Sequence, residues 1–132
     1  MTETGAGPFE LYAGAHGKVM AVRLLDGSLP AFHFLEGIEP RARQAFKTLF
    51  QRQFAMGVLL SQERLRLLDS KDPHVAEWKV HSPRPLRLYG IRQGSVWYAT
   101  HGSTKPGEIR GVKRQVKRAR TIFGEGSDDE LV

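Results

Sequence analysis

Three strand-like segments in the second half of the chain constrain the fold most. Residues 75–81 and 86–92 alternate between two sets of side chains, and residues 95–101 are rich in β-branched and aromatic types. The connections are short: residues 82–85 contain two prolines, and Gln93-Gly94 has the length of a hairpin turn. Because short connections join antiparallel neighbours, the sequence predicts an antiparallel meander.

The first half predicts a hairpin followed by two helices. Residues 9–12 and 19–25 have strand composition, and residues 29–36 form a short helical segment that ends at a glycine. A longer helix begins at Pro40, and its apolar stripe consists of Ala42, Ala45, Phe46, Leu49, Phe50 and Phe54. A helix–turn–helix that binds DNA is one interpretation, but a helical hairpin packed on the later strands is favoured. Residues 58–73 fit no single pattern.

A basic helix is predicted over residues 108–123, with a stop at Gly124. The order of strands, two helices, meander and final helix indicates an α+β fold. We expect one domain over residues 9–123, a disordered tail over 1–8 and an acidic disordered tail over 124–132.

Positive charge is concentrated in one block. From Lys79 to Arg120 there are 11 basic residues and one acidic residue, Glu108, within a chain whose formal net charge is +6. Such a block indicates a polyanionic partner, and a nucleic-acid backbone is the usual one. A solubilising basic surface is the alternative, although it would normally contain interspersed glutamates.

Composition excludes several kinds of site. The chain has no cysteine, so disulfides, thiolate zinc sites and cysteine nucleophiles are excluded. Its five histidines are scattered, and we expect neither a metal nor a cofactor. No apolar run has membrane-spanning length, and no basic and apolar leader begins the sequence. We therefore expect a cytoplasmic protein without a membrane partner.

Six short segments, taken in order, carry a resemblance to a known family. They are residues 31–36, 41–54, 75–79, 85–89, 96–102 and 105–109. Their order and spacing resemble the RelE/HigB-type toxins of bacterial toxin–antitoxin systems, including phage-derived relatives. Glu77 and Lys79 match a Glu and an Arg in one motif strand, and Arg87 and Tyr89 match positions in the next. The pair at 101–102 matches the family's His-Gly.

The resemblance implies a RelE-like fold and a metal-independent endoribonuclease. Its substrate would be messenger RNA on the ribosome, and its protein partner would be a cognate antitoxin. The implied catalytic residues are Lys79, Arg87, Tyr89, His101 and Lys105. Lysine and arginine would stabilise the phosphate, whereas histidine or tyrosine would transfer protons. The expected nucleic-acid-binding residues are Arg84, Arg92, Arg110, Lys113, Arg114, Lys117 and Arg118.

Two departures leave other functions open. The loop after Gly102 is shorter than in the family and has one lysine fewer, and the N-terminal hairpin is longer. A non-catalytic nucleic-acid or protein binding module on the same fold is the alternative, either like the gyrase-binding members or as a phage structural or assembly protein. In that case Lys79 and Arg87 would be solvated strand residues paired with Glu77, and His101 would be a strand-end hydrogen-bonding group.

Overall fold

A mixed β-sheet with helices on both faces forms the described part of the protein. The computed structural model describes residues 7–81 and 83–131. Its strands are β1 (Phe9–Gly14), β2 (Gly17–Ala21), β3 (Leu65–Leu67), β4 (Val75–His81), β5 (Pro85–Gln93) and β6 (Val96–Thr104). Its helices are α1 (Pro30–Gly37), α2 (Pro40–Phe50), which continues as a π-helical turn over Gln51–Ala55, and α3 (Ile109–Leu131). The strand order is β1-β2-β6-β5-β4-β3.

The α+β class and the antiparallel meander are confirmed. β4 pairs antiparallel with β5, β5 pairs antiparallel with β6, and β1 and β2 form the predicted hairpin. Two pairings were not predicted. β2 lies parallel to β6, and β3, which comes from the unassigned residues 58–73, adds an antiparallel edge strand beside β4. The α1–α2 pair is part of the long crossover that a parallel pairing requires.

The main hydrophobic core lies between the sheet and the α1–α2 pair. The stripe on α2 buries Phe46, Leu49 and Phe50, as its spacing predicted. The Phe50 ring meets Trp78 edge-on at 5.2 Å, and Trp78 lies 5.3 Å from Trp97. The helical pair is therefore packed on the sheet, and its apolar stripe is used for folding.

Helix α3 covers part of the opposite face of the sheet. The buried residues of this smaller cluster are Val75, Tyr89, Ile91 and Ala119, with Leu68, Val116 and Phe123 packed against them. The spacing of apolar residues in α3 predicts a stripe of Ile109, Val112, Val116, Ala119, Ile122 and Phe123; Val116, Ala119 and Phe123 pack on the sheet as predicted, whereas Ile109 is 75% exposed. Most basic residues of α3 lie on its outer face. The sheet separates two apolar layers, and the candidate site lies in the α3 layer.

The predicted stop of the last helix at Gly124 is wrong, because α3 continues to Leu131. The helix runs on past the sheet: the Leu25 backbone N–H donates to Glu125 Oε2 at 2.9 Å, and a Cβ at Gly126 would lie 2.5 Å from Val22 Cγ1. These contacts offset the cost of glycine within a helix, about 1 kcal/mol. Most of the predicted acidic tail, residues 124–132, is therefore helical. The other predicted tail, residues 1–8, lies outside the described residues apart from its last two positions.

Candidate nucleic-acid interface

Two predicted cations are adjacent on the α3 face of the sheet. Lys79 on β4 is directly opposite Arg87 on β5, and Arg87 is directly opposite Ser103 on β6. Residues in such positions share a face, with Cβ atoms about 5 Å apart. The prediction that Lys79 and Arg87 lie on one surface is confirmed.

A buried carboxylate lies in the next row. Glu77 is 1% exposed and is opposite Tyr89. It accepts contacts from Arg66 Nη2 at 2.9 Å and Arg87 Nε at 3.4 Å, so a charge that is costly to bury has two cationic partners. The Arg87 side chain is only 11% exposed. The alternative interpretation of Arg87 is therefore confirmed in its pairing with Glu77 and wrong in its solvation, because the side chain is largely buried. Arg66 was missed by the sequence argument, since β3 was unassigned.

Tyr89, opposite Glu77 in the same row, is fully buried. Its hydroxyl lies 3.1 Å from Ser103 Oγ, and its ring stacks on that of His101 at 4.7 Å. Burial raises the pKa of Tyr89 above its usual value, which opposes ionisation. In this conformation Tyr89 is a buried residue whose contacts with Ser103 and His101 link β5 to β6.

A β-bulge turns His101 toward α3. Tyr89 pairs with His101, but the next residue, Gly90, pairs with Ala99, so Thr100 is the extra residue on β6. Strict alternation would have placed His101 on the same face as Ala99, which belongs to the α1–α2 core. The bulge therefore decides which layer the histidine enters.

His101 is a buried, neutral hydrogen-bonding group in this arrangement. It is 1% exposed, its Nε2 donates to Gln115 Oε1 at 2.7 Å, and its Nδ1 lies 3.1 Å from the Thr100 hydroxyl. Burial lowers the pKa of His101 to about 4. The predicted proton-transfer role would require exposure that the fold does not provide. Gln115, which joins β6 to α3 here, carried no signal in the sequence beyond its place on the helix.

The histidine makes stability depend on pH. An unfolded histidine binds a proton near pH 6.5, whereas the folded pKa of His101 is about 4, so acidification favours the unfolded chain. We expect His101 to contribute a loss of about 3 kcal/mol in unfolding free energy as pH falls from 6.5 to 4, and none above 6.5. Urea denaturation of the parent and His101→Gln across this range measures it. If the unfolding free energies of the two proteins changed with pH in parallel, His101 would not be the source of the acid sensitivity.

Lys79, like Arg87, is a partly buried cation of the site. Burial, followed by repulsion from Arg66 and Arg87, lowers the pKa of Lys79 despite the opposing effect of Glu77. Lys105 is exposed and lies just beyond Thr104, which pairs with Leu86. Lys105 therefore lies near the same end of the β5–β6 ladder as Arg87, and it lines a groove of about 470 Å³ between the loop and α3.

The predicted nucleic-acid-binding residues divide into two groups. Five are exposed on α3 and extend the cationic surface from the Lys105 groove: Arg110, Lys113, Arg114, Lys117 and Arg118. Two lie elsewhere. Arg84 pairs with Glu39 at 3.7 Å, beside α2, and Arg92 lies 5.8 Å from the Trp97 ring on the opposite face. Arg120, which was not predicted, pairs with Asp69 and fastens α3 to the loop before β4.

The described residues contain no group of three or more His, Cys, Asp or Glu side chains that could hold a metal ion. Across the same residues, no helix has an apolar stretch of membrane-spanning length. Comparison with protein-family models, curated proteins and solved structures found no match to this chain.

Proposed function

We propose that this protein has a RelE-like fold and is a toxin-type endoribonuclease of a type II toxin–antitoxin system. It cleaves messenger RNA on the ribosome in the cytoplasm and is held inactive by a cognate antitoxin. The observation that carries the proposal is the direct opposition of Lys79 and Arg87 on β4 and β5, beside a basic helix. The order of hairpin, two helices, meander and C-terminal helix supports the same family.

The chemistry follows from the charges of the site. The RNA 2′-oxygen loses its proton and attacks the adjacent phosphorus, and the bond to the 5′-oxygen breaks. The departing 5′-oxygen takes a proton from solvent, because Tyr89 and His101 are buried, and the products are a 2′,3′-cyclic phosphate and a 5′-hydroxyl. Lys79, whose pKa is lowered, is suited to accept the 2′-hydroxyl proton. Arg87 and Lys105 supply charge to the developing phosphorane. Tyr89, Glu77 and Ser103 position these groups.

The direct test is expression of the chain in bacterial cells, followed by primer extension on abundant transcripts. We expect growth arrest and new RNA 5′ ends that carry a hydroxyl group. Adding purified protein to ribosomes with a defined message should give the same cleavage positions. Normal growth with intact transcripts, from a folded and abundant protein, would count against the enzyme.

Burial of both proton-transfer candidates favours a second function, a non-catalytic RNA-binding module. Tyr89 and His101 are 0% and 1% exposed, and neither faces an approaching phosphate. Such a module would bind RNA through the α3 surface and leave it uncut. Intact RNA after prolonged incubation at saturating protein identifies this case.

Both functions require the basic face of α3. Replacing Lys117 and Arg118 with Glu should leave the fold intact, because both side chains are exposed, and should weaken RNA binding steeply. Each lost phosphate contact lowers the slope of log affinity against log salt by about 0.7 for a single strand. Fluorescence anisotropy across a salt titration measures the slope.

The matched control reverses Arg41 and Lys47, which are exposed on α2, on the other side of the sheet. Both double variants change the net charge equally. Equal loss of binding in the two would mean that only total charge matters, and α3 would then be a solubilising surface.

A further inference from the structure

A second groove lies at the edge of the sheet beside Lys79. It encloses about 370 Å³ between α2 and the last residues of β4. The groove exists because β3 is short. The Lys79 backbone N–H donates to Arg64 O at 2.8 Å, just before the first residue of β3, and β4 continues to His81 with β5 on one edge and no described strand on its β3 edge.

The groove lining contains several basic residues from both of its sides. Arg52, Arg64, Lys79 and His81 line it, and the two arginines are exposed. Neither arginine side chain forms an ion pair or a hydrogen bond with any of the described residues, whereas Arg66 and Arg120 are both paired. Unpaired guanidinium groups beside a concave surface are suited to a phosphate, which they can contact with two donors at once.

Part of the lining is apolar. Leu49 of α2 and Val80 of β4 contribute to it, and both belong to the main core. The volume lies near the lower end of the range for small-molecule sites, which suits a single nucleotide. A lining that combines apolar and cationic side chains matches a nucleotide, whose base is flat and weakly polar and whose phosphate is charged.

We infer that this groove binds one nucleotide of an RNA strand, with its phosphate toward Arg52 and Arg64 and its base or sugar against Leu49 and Val80. Lys79 lines the groove and also opposes Arg87, so the bound nucleotide is a neighbour of the phosphate in the Lys79–Arg87 site. The inference rests on the proposed function in one respect, namely that the Lys79–Arg87 site holds an RNA phosphate. It extends the RNA path around the sheet edge, away from α3.

The test compares two double variants that lose the same charge: Arg52→Gln with Arg64→Gln inside the groove, and Arg41→Gln with Lys47→Gln outside it. Binding of a fluorescein-labelled hexauridylate RNA is measured by anisotropy. We expect the groove variant to bind about tenfold more weakly than the control, as for the loss of a charge-assisted contact. Equal affinity in the two variants would overturn the inference.

A second measurement uses the unmodified chain and methyl NMR. Uridine 5′-monophosphate should shift the methyl signals of Leu49 and Val80, and inorganic phosphate should shift them much less. Identical shifts from both probes would show that the groove binds simple anions, and would overturn the inference that it binds a nucleotide. The inference would also be overturned if a polyglutamate peptide shifted these methyl signals and the RNA did not.

The outcomes separate this inference from the proposed function. Weaker binding by the groove variant in a chain that never cleaves RNA supports the nucleotide site without the enzyme. Cleavage that depends on Arg87, together with a groove variant that binds as the control does, leaves the enzyme intact and removes the groove from the RNA path.

Discussion

Replacing Gly102 with alanine is expected to destabilise the domain by roughly 3 kcal/mol or more, at the upper end of the range for overpacking. A Cβ at this position would lie 2.1 to 2.4 Å from three atoms of the Phe34 ring. The overlap is relieved only if the Phe34 ring moves, and this ring also meets Phe46 edge-on at 6.2 Å at the main core. The strand and the helix would therefore have to separate. Urea denaturation monitored by tryptophan fluorescence gives the free energy.

Two further variants make the result specific. Gly107→Ala is the matched control, because a Cβ there meets nothing within 4 Å. Phe34→Ala opens the space, so Gly102→Ala should cost far less in that background than in the parent. A Gly102→Ala protein as stable as the parent would show that Phe34 does not pack on this strand as described.

Replacing Arg87 with lysine should lower RNA cleavage by about 10²–10³-fold, the usual cost of removing one donor to a transition-state oxyanion. Lysine keeps the positive charge that Glu77 requires, and Glu77 also retains Arg66 at 2.9 Å, so the fold should survive. What is lost is the planar guanidinium group, which holds Glu77 through Nε, donates from Nη1 to Leu86 O at 3.1 Å, and can present its remaining N–H groups to a phosphate. Initial cleavage rates on ribosome-bound message, together with thermal melting, separate the two effects.

Arg92→Lys provides the control for this substitution. Arg92 lies on the same strand but faces the other side of the sheet, over Trp97, so its replacement should leave cleavage unchanged. If Arg87→Lys cleaves at the parental rate, the Lys79–Arg87 pair is not the reaction site. If it unfolds instead, Arg87 is chiefly a partner of Glu77, and the binding-module function gains support.

Local pattern determined much of this structure. The alternation over residues 75–81 places Glu77 and Lys79 on one face of β4, since side-chain direction depends only on the two-residue period. Short connections made the meander predictable, and the alternation put Lys79 and Arg87 on one surface; the register that sets them directly opposite came from the structure. The stripes of α2 and α3 correctly identified the packed faces of both helices. The charge block and the family resemblance motivated the hypothesis about function.

Contacts between distant segments decided the rest. Nothing local to Gly124 shows that α3 will continue, because the support comes from Val22 and Leu25, about 100 residues earlier. The parallel pairing of β2 with β6 and the addition of β3 likewise join segments distant in sequence at the two outer edges of the meander, β6 and β4. The unpaired backbone edge of a strand has no sequence pattern that identifies its partner, so the sequence could not predict which strands would pair there.

The catalytic candidates show the same division. The family resemblance implied Lys79, Arg87, Tyr89, His101 and Lys105 as catalytic residues, and the pairing of Arg87 with Glu77 was already an alternative at that point. Only the tertiary structure shows that Tyr89, His101 and most of Arg87 are buried and that Lys105 is exposed. For His101 the deciding feature is the extra residue Thr100, which shifts the register by one position. A single-residue bulge reverses the face of every residue after it, and no local pattern announces it. The chemistry of these side chains therefore follows from the sequence, whereas their accessibility follows from the packing of β6 against β5 and α3.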